Sequence, residues 1–277
     1  MSEDFLAAMA RASRERVVRA SERQSMRELQ AKAAALPRPP ALRLSENGFD
    51  LIAEVKLRSP AAGQLKQASE DIGARVGAYA DAGAAAISVL TEPSRFDGEL
   101  AHVTQAARGL AGRIPVMRKD FLVDAYQVYE ARLAGAGGVL VILRMLSRAE
   151  NEALIEAAAK LGLFTLLEAF DAADLKLAGE LADAYAGRGA LLVGVNCRDL
   201  VTLKVVPGRL EALAPLLPRH VPRVAESGVA TAADAARVAA RGYELALVGS
   251  ALMQAGDPLA LAAEMLQAGR SAASGRA

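Results

Sequence analysis

The 277-residue sequence contains a single cysteine, Cys197, and only two histidines, His102 and His220. One cysteine excludes an internal disulfide framework and suits a reducing compartment. The histidines lie far apart, and neither neighbours the cysteine, so no His/Cys metal site is expected and these residues are read as structural. Neither sign of charge is in excess, with 33 Lys and Arg against 32 Asp and Glu. No global field therefore recruits nucleic acid or an anionic membrane. Hydrophobic residues reach 53%, much of this alanine, yet no uninterrupted apolar run attains the ~18 residues of a membrane span. The opening Ser2, Glu3 and Asp4 lack the basic region and apolar core of a secretory signal. These absences lead to the expectation of a soluble, cytoplasmic protein that binds neither nucleic acid nor membrane.

What is present is a rhythm. Residues 3–36 read as helix, with Phe5, Leu6, Met9, Val17, Val18, Met26 and Leu29 at helical spacing, until Pro37, Pro39 and Pro40 end it. Its apolar stripe would lie bare in solvent, so residues 1–45 are expected to form an extension packed on the main domain. From Leu51, apolar runs recur at Leu51–Val55, Ala86–Leu90, Val116–Arg118, Val139–Leu143, Phe164–Leu167, Leu191–Val195, Arg223–Ala225 and Leu245–Val248. Helical patterns separate them. Ser147 to Glu150 and Thr231 to Asp234 resemble capping boxes, and Gly83, Gly135, Gly162 and Gly242 stand where helices should stop. Short, continuously apolar strands alternating with helices argue for a parallel sheet covered on both faces. Eight runs favour a closed (β/α)8 TIM barrel over residues 46–268 rather than an open doubly wound sheet. The last helix opens with Asp257 as N-cap and Pro258 in first position, and the small, polar residues 269–277 are expected to fray.

In such a barrel the strand C-termini converge on one face, where chemistry is found. Glu54 and Lys56 stand two residues apart at the end of the first run, which puts both on one face of the strand. Later runs end in Ser88, Thr91 and Glu92, in Lys119 and Asp120, in Glu168, in Asn196 and Arg198, in Glu226 to Gly228, and in Gly249 and Ser250. Any one of these suits a surface salt bridge, but their recurrence at the same phase of successive repeats points to a site. Gly228, Gly249 and Ser250 follow runs seven and eight, where these barrels often bind phosphate, and Ser59 can add a hydroxyl from the first loop. Lys56 and Lys119 either close the barrel end as ion pairs or, protonated, hold an anionic group and act as general acids. Phe96 and Phe121 are loop aromatics that could cover a ring-shaped ligand or anchor their loops.

Several of these stretches resemble, in order, the signatures of the indole-3-glycerol phosphate synthase family. They are Ile52-Ala53-Glu54-Val55-Lys56 with Ser59-Pro60, Ser88 to Glu92, Phe96-Asp97-Gly98 and Arg118-Lys119-Asp120-Phe121. Leu166-Leu167-Glu168, Gly194 to Leu200, Ala225-Glu226-Ser227-Gly228 and Gly249 to Met253 continue the series. The resemblance implies a TIM barrel that uses no cofactor and no metal. It would convert 1-(2-carboxyphenylamino)-1-deoxyribulose 5-phosphate to indole-3-glycerol phosphate, losing carbon dioxide and water. By the same resemblance Lys119 is the general acid, Lys56 holds the anthranilate carboxylate or assists, and Glu168 transfers a proton in the dehydration. Glu54, Asn196 and Glu226 would orient it, with Arg198 and Ser227 completing the polar wall. Ser59, Gly228, Gly249 and Ser250 would receive the phosphate, and Phe96 and Phe121 would lie beside the ring. A small phosphorylated substrate is the partner implied, for a monomer or weak oligomer.

The chain departs from the family pattern at Leu57, where a basic residue is usual, and at Ala61 and Ala62 of the first loop. Gly137-Gly138 replaces an Ala-Asp pair, and Ala169-Phe170 follows Glu168 in place of a polar pair. A sugar-phosphate isomerase-like barrel would share the phosphate loops but not the Lys56, Lys119 and Glu168 set. A non-catalytic paralogue would have little reason to keep that set.

Overall fold

Short, β-rich runs become strands here because each is capped at both ends by turn residues and has apolar side chains on both faces. The computed structural model describes residues 5–60, 63–66, 70–199 and 202–275. Its main sheet has eight parallel strands: β1 (Asp50–Val55), β2 (Ala86–Leu90), β3 (Val116–Lys119), β4 (Gly138–Ile142), β5 (Phe164–Ala169), β6 (Leu191–Asn196), β7 (Arg223–Glu226) and β8 (Leu245–Val248). They pair in sequence order, and β8 returns to β1, so the sheet closes into a TIM barrel. The register sets Glu54 beside Ser88, Ile142 beside Glu168 and Asn196 beside Glu226.

Alternation along the strands splits the core in two. Ile52, Met117, Leu140, Leu166, Leu192 and Leu245 fill the barrel interior. Leu51, Ile87, Val139, Leu167, Val193 and Val248 face outward and bury the apolar faces of the helices. The helices are α1 (Phe5–Arg23), α2 (Met26–Ala34), α3 (Ile72–Asp81), α4 (Pro93–Phe96), α5 (Leu100–Leu110), α6 (Ala125–Leu133), α7 (Arg148–Leu161), α8 (Ala172–Ala184), α9 (Arg209–Leu213), α10 (Ala232–Ala240), α11 (Ser250–Gln254) and α12 (Pro258–Ser274). Ser147 and Thr231 make reciprocal capping boxes at the starts of α7 and α10. Gly83, Gly135, Gly162 and Gly242 all take positive φ, ending the helices before them. Among the described residues, no helix is long and apolar enough to cross a membrane.

Two expectations are corrected. Residues 3–36 are not one helix: α1 and α2 are separate because Ser25 caps α2, accepting from Glu28 N at 3.3 Å while the Glu28 carboxylate accepts from Ser25 N at 2.8 Å. Of residues 269–277, expected to fray, 269–274 continue α12, and 276–277 lie outside the described residues. The α12 backbone is held against β1 there, because Gly269 leaves room for the Phe49 ring and Arg270 donates to Asp50 Oδ1 at 3.0 Å. Strand ends also run one or two residues past the apolar letters, so that Lys119, Glu168, Asn196 and Glu226 are themselves the last or next-to-last ladder residues.

The N-terminal helices position one wall of the site. Leu6 and Met9 of α1 join the interior apolar cluster at its C-terminal end, beside Phe121, Ile142 and Phe170. Helix α2 packs on α6, with Tyr126 Oη donating to Gln24 O at 2.8 Å. The chain then runs to the other end of the barrel, where Ser45 N donates to Asp50 Oδ2 at 2.7 Å.

Candidate active site

The inward-facing residue at the end of a barrel strand has apolar layers below it and open space above, so a charged group is tolerated there only if paired. The pairing is dense. Lys56 Nζ lies 2.7 Å from Glu54 Oε1. Lys119 Nζ lies 3.6 Å from the other Glu54 oxygen, 4.0 Å from Glu168 Oε1 and 4.0 Å from Glu226 Oε2. Asn196 Nδ2 donates to Glu168 Oε1 at 2.8 Å, and Asn196 Oδ1 accepts from Arg198 N at 2.9 Å. One ammonium thus stands among three carboxylates that come from β1, β5 and β7, and a second ammonium shares one of them.

Burial and neighbours set the charges. Burial alone would raise the Glu54 carboxyl, but Lys56 and then Lys119 outweigh it and hold it below its ordinary range. Burial also disfavours the Lys119 ammonium, yet Glu54, Glu168 and Glu226 together push its pKa above that of a free lysine. Glu226 goes the other way: burial, then the Glu168 carboxylate, raises it well above the usual range. Neither of its oxygens accepts a hydrogen bond from a described residue. The site therefore combines a firmly charged lysine, an ionised Glu54 and a carboxyl able to carry a proton, which is the equipment of general acid–base chemistry.

These groups line a cavity of about 300 Å3 at the strand C-termini. The structure brings every candidate residue to it: Glu54, Lys56, Lys119, Glu168, Asn196 and Glu226 on the floor, with Arg198, Ser227, Phe96, Phe121, Ser59, Gly228, Gly249 and Ser250 around them. Ser59 is buried in a two-residue ladder with Gly63. Ser227 and Gly228 take successive positive φ values of 65° and 70°, a sharp backbone turn at the cavity edge. Gly249 has a second reason to be glycine, since a Cβ there would overlap Glu54 Oε1 and come 2.9 Å from Lys56 Nζ. Arg198 is held within its own loop, its Nη1 donating to Leu203 O at 2.6 Å.

Other strand-end residues serve the frame. Glu92 caps α4 by accepting from Ser94 N at 2.9 Å and Arg95 N at 2.7 Å. Thr91 donates to Asp120 at 2.7 Å, and Ser88 lies buried in the barrel wall. Sequence reasoning missed most of the apolar side of the cavity, formed by Phe5, Leu6, Leu90, Leu140 and Ile142. Phe5 meets Phe121 edge-on at 5.8 Å between ring centroids, and Phe96 lies 6.3 Å from Phe121. Phe5 and Leu6 were visible as part of an amphipathic stripe, but nothing local said which surface that stripe would cover.

The departures from the family pattern have local reasons. Leu57 is buried, and the basic residue beside it, Arg58, pairs outward with Asp97 at 3.6 Å. Gly138 carries no side chain because the Phe164 ring occupies the place of its Cβ. Phe170 is buried beneath the Arg144 guanidinium, 4.8 Å from the ring centroid. Ala61 and Ala62 lie outside the described residues.

Comparison with known proteins gives a consistent result. The family model described as "Indole-3-glycerol phosphate synthase" matches residues 6–265. Curated relatives with that name include one from Mycobacterium leprae (strain Br4923), 39% identical over 247 residues, covering 88% of this chain and 87% of the relative. Another, from Opitutus terrae, is 41% identical over 244 residues and covers 86% of this chain and 89% of its own. Among solved structures, 3-hexulose-6-phosphate synthase from Salmonella typhimurium superposes with a TM-score of 0.62 at 17% identity, over 81% of this chain and all 100% of that one. Thiamine phosphate pyrophosphorylase from Pyrococcus furiosus gives 0.55 at 16% identity, over 82% of this chain and 98% of that one. At such identities these two structures speak for the fold alone.

Proposed function

The chain belongs to the indole-3-glycerol phosphate synthase family, and from that premise we propose how its barrel mouth carries the reaction. The enzyme is a carboxy-lyase of tryptophan biosynthesis that acts on 1-(2-carboxyphenylamino)-1-deoxyribulose 5-phosphate. The observation that carries the mechanistic reading is the placement of Lys119, an inward ammonium 3.6–4.0 Å from three carboxylates at the cavity floor.

In the first step the ring carbon bearing the carboxylate attacks the sugar carbonyl carbon, while Lys119 gives its proton to the carbonyl oxygen. Glu54, Glu168 and Glu226 keep that lysine charged until the proton is needed. Lys56, held by Glu54, receives the substrate carboxylate. Carbon dioxide then departs, and the electron pair of the broken bond restores the aromatic ring. Finally the hydroxyl leaves as water with a proton from a lysine ammonium, and Glu168 removes a proton from the carbon next to nitrogen. Asn196 aims Glu168 by its 2.8 Å hydrogen bond, and Glu226 supports the same pair. Two lysines can exchange duties between steps, because both reach Glu54.

Binding follows the same division of the cavity. Ser59, Gly228, Gly249 and Ser250 take the phosphate, and Ser227 and Arg198 wall the polar side. Phe96 and Phe121 lie along the aromatic ring, with Phe5 and Leu6 completing the apolar side. All these residues come from one chain, so the reading requires no second subunit, in keeping with a monomer or weak oligomer in the cytoplasm. The test is to supply the substrate to purified protein and follow indole fluorescence with carbon dioxide release. Absence of turnover by folded protein would refute the reading.

A further inference from the structure

Lys119 faces the cavity, its strand neighbour Arg118 faces the opposite way, and Asp120, just past the strand end, borders the cavity wall. Both are buried, and both are fully engaged. Arg118 donates to Thr91 Oγ1 at 3.1 Å, to Gln127 O at 3.0 Å and to Asp120 Oδ2 at 3.1 Å. Asp120 accepts in addition from Thr91 Oγ1 at 2.7 Å and Phe121 N at 2.8 Å. Its last partner comes from outside the barrel: Arg16 Nη2, on α1, at 2.8 Å.

Arg16 reaches a second strand end as well. Its Nη1 lies 3.9 Å from the carboxylate of Glu92, which caps the short helix that ends in Phe96. A parallel arm runs through Ser13 of α1, which accepts from Gln127 Nε2 at 2.9 Å, while Gln127 Oε1 accepts from Val123 N at 2.8 Å. The segment from Lys119 to Val123 is therefore tied to the N-terminal helix near both ends, directly at Asp120 and through Gln127 at Val123. Phe5 adds the edge-on contact with Phe121 midway.

We propose that Arg16 is a positioning residue for the reaction: through Asp120 and Glu92, α1 fixes the Lys119 strand end and the Phe96 turn relative to one another. The inference rests on the reading of Lys119 as general acid. Lys119 stands at 3.6–4.0 Å from its three carboxylates, so a small displacement of its strand end changes which of them it faces. A misplacement of about 1 Å can cost on the order of 10²-fold in rate. The barrel itself does not depend on Arg16, because Asp120 keeps Arg118, Thr91 and its own backbone donor. Arg16 itself lines no cavity surface, so its removal takes away the tether on Asp120 without removing a side chain from the wall the substrate meets.

The experiment compares Arg16→Met and Arg16→Lys with wild type for kcat, KM and thermal melting, and uses Lys119→Met as the control for the underlying reading. Arg16→Met is expected to lower kcat by about 10–100-fold with KM within about threefold, on folded protein. Arg16→Lys keeps the charge but not the two-pronged reach, and should recover part of the loss. If Arg16→Met keeps kcat within about twofold of wild type, or loses only KM, the proposal is overturned. Should Arg16→Met fail to fold, Arg16→Lys decides alone: a severalfold lower kcat supports the tether, and a wild-type kcat overturns it. Normal turnover by Lys119→Met would remove the acid that Arg16 is argued to position. An inactive Lys119→Met beside a normal Arg16→Met would reject the tether alone.

Discussion

Glu226→Gln should make the enzyme more stable and less active, with a stability gain that depends on pH. Glu226 is 1% exposed, has no hydrogen-bond donor on either oxygen among the described residues, and lies beside the Glu168 carboxylate. Its folded pKa is therefore raised well above the ordinary 4.5. A carboxyl raised on folding contributes stability that is fully present below its unfolded pKa and is lost as pH climbs through the folded one. Glutamine has nearly the same shape, so it keeps the space above Gly194, where a Cβ would overlap Glu226 Oε1. It can never ionise, and its amide can donate to Glu168. The gap in unfolding free energy between variant and wild type should open above about pH 4.5, by at most about 1.4 kcal/mol per pH unit, until the folded pKa is passed. Urea unfolding at steps from about pH 5 to about pH 8 measures it. Stability curves that run parallel across that range would refute the reasoning, because they would mean Glu226 ionises alike in both states. In the same series kcat should fall, since the variant no longer exchanges a proton with the Lys119 cluster.

Two glycine substitutions test close approaches. Gly249→Ala should push Glu54 off Lys56, costing about 1–3 kcal/mol of stability and lowering kcat; a rise in KM alone, in steady-state kinetics, would leave Gly249 only a phosphate contact. Gly138→Ala should cost about as much through collision with Phe164, and adding Phe164→Leu should restore most of the urea midpoint.

The barrel was legible because its strands are buried on both faces and repeat with helices between them, and because caps such as Ser147 and Thr231 carry their own residues. The site residues were legible for a related reason. A side chain's phase along a strand tells whether it points inward, and Glu54, Lys119, Glu168, Asn196 and Glu226 share that phase at successive strand ends. What was hidden depends on packing at a distance. The stripe of α1 announced burial but not its destination, so Phe5 and Leu6 in the cavity wall and Arg16 against Asp120 were not foreseen. The break at Ser25 was present as a Ser-to-Glu28 box, yet apolar spacing ran on across it. The continuation of α12 to Ser274 turns on the Phe49 ring and Asp50, more than two hundred residues earlier.

The central claim is that Lys119, charged among three carboxylates, supplies the proton for ring closure. The direct measurement is turnover of 1-(2-carboxyphenylamino)-1-deoxyribulose 5-phosphate, followed by indole fluorescence, for wild type and Lys119→Met, with melting curves for both. The account predicts product from wild type and a kcat lower by about 10²–10⁴-fold for the folded variant. Near-normal turnover by Lys119→Met would contradict it.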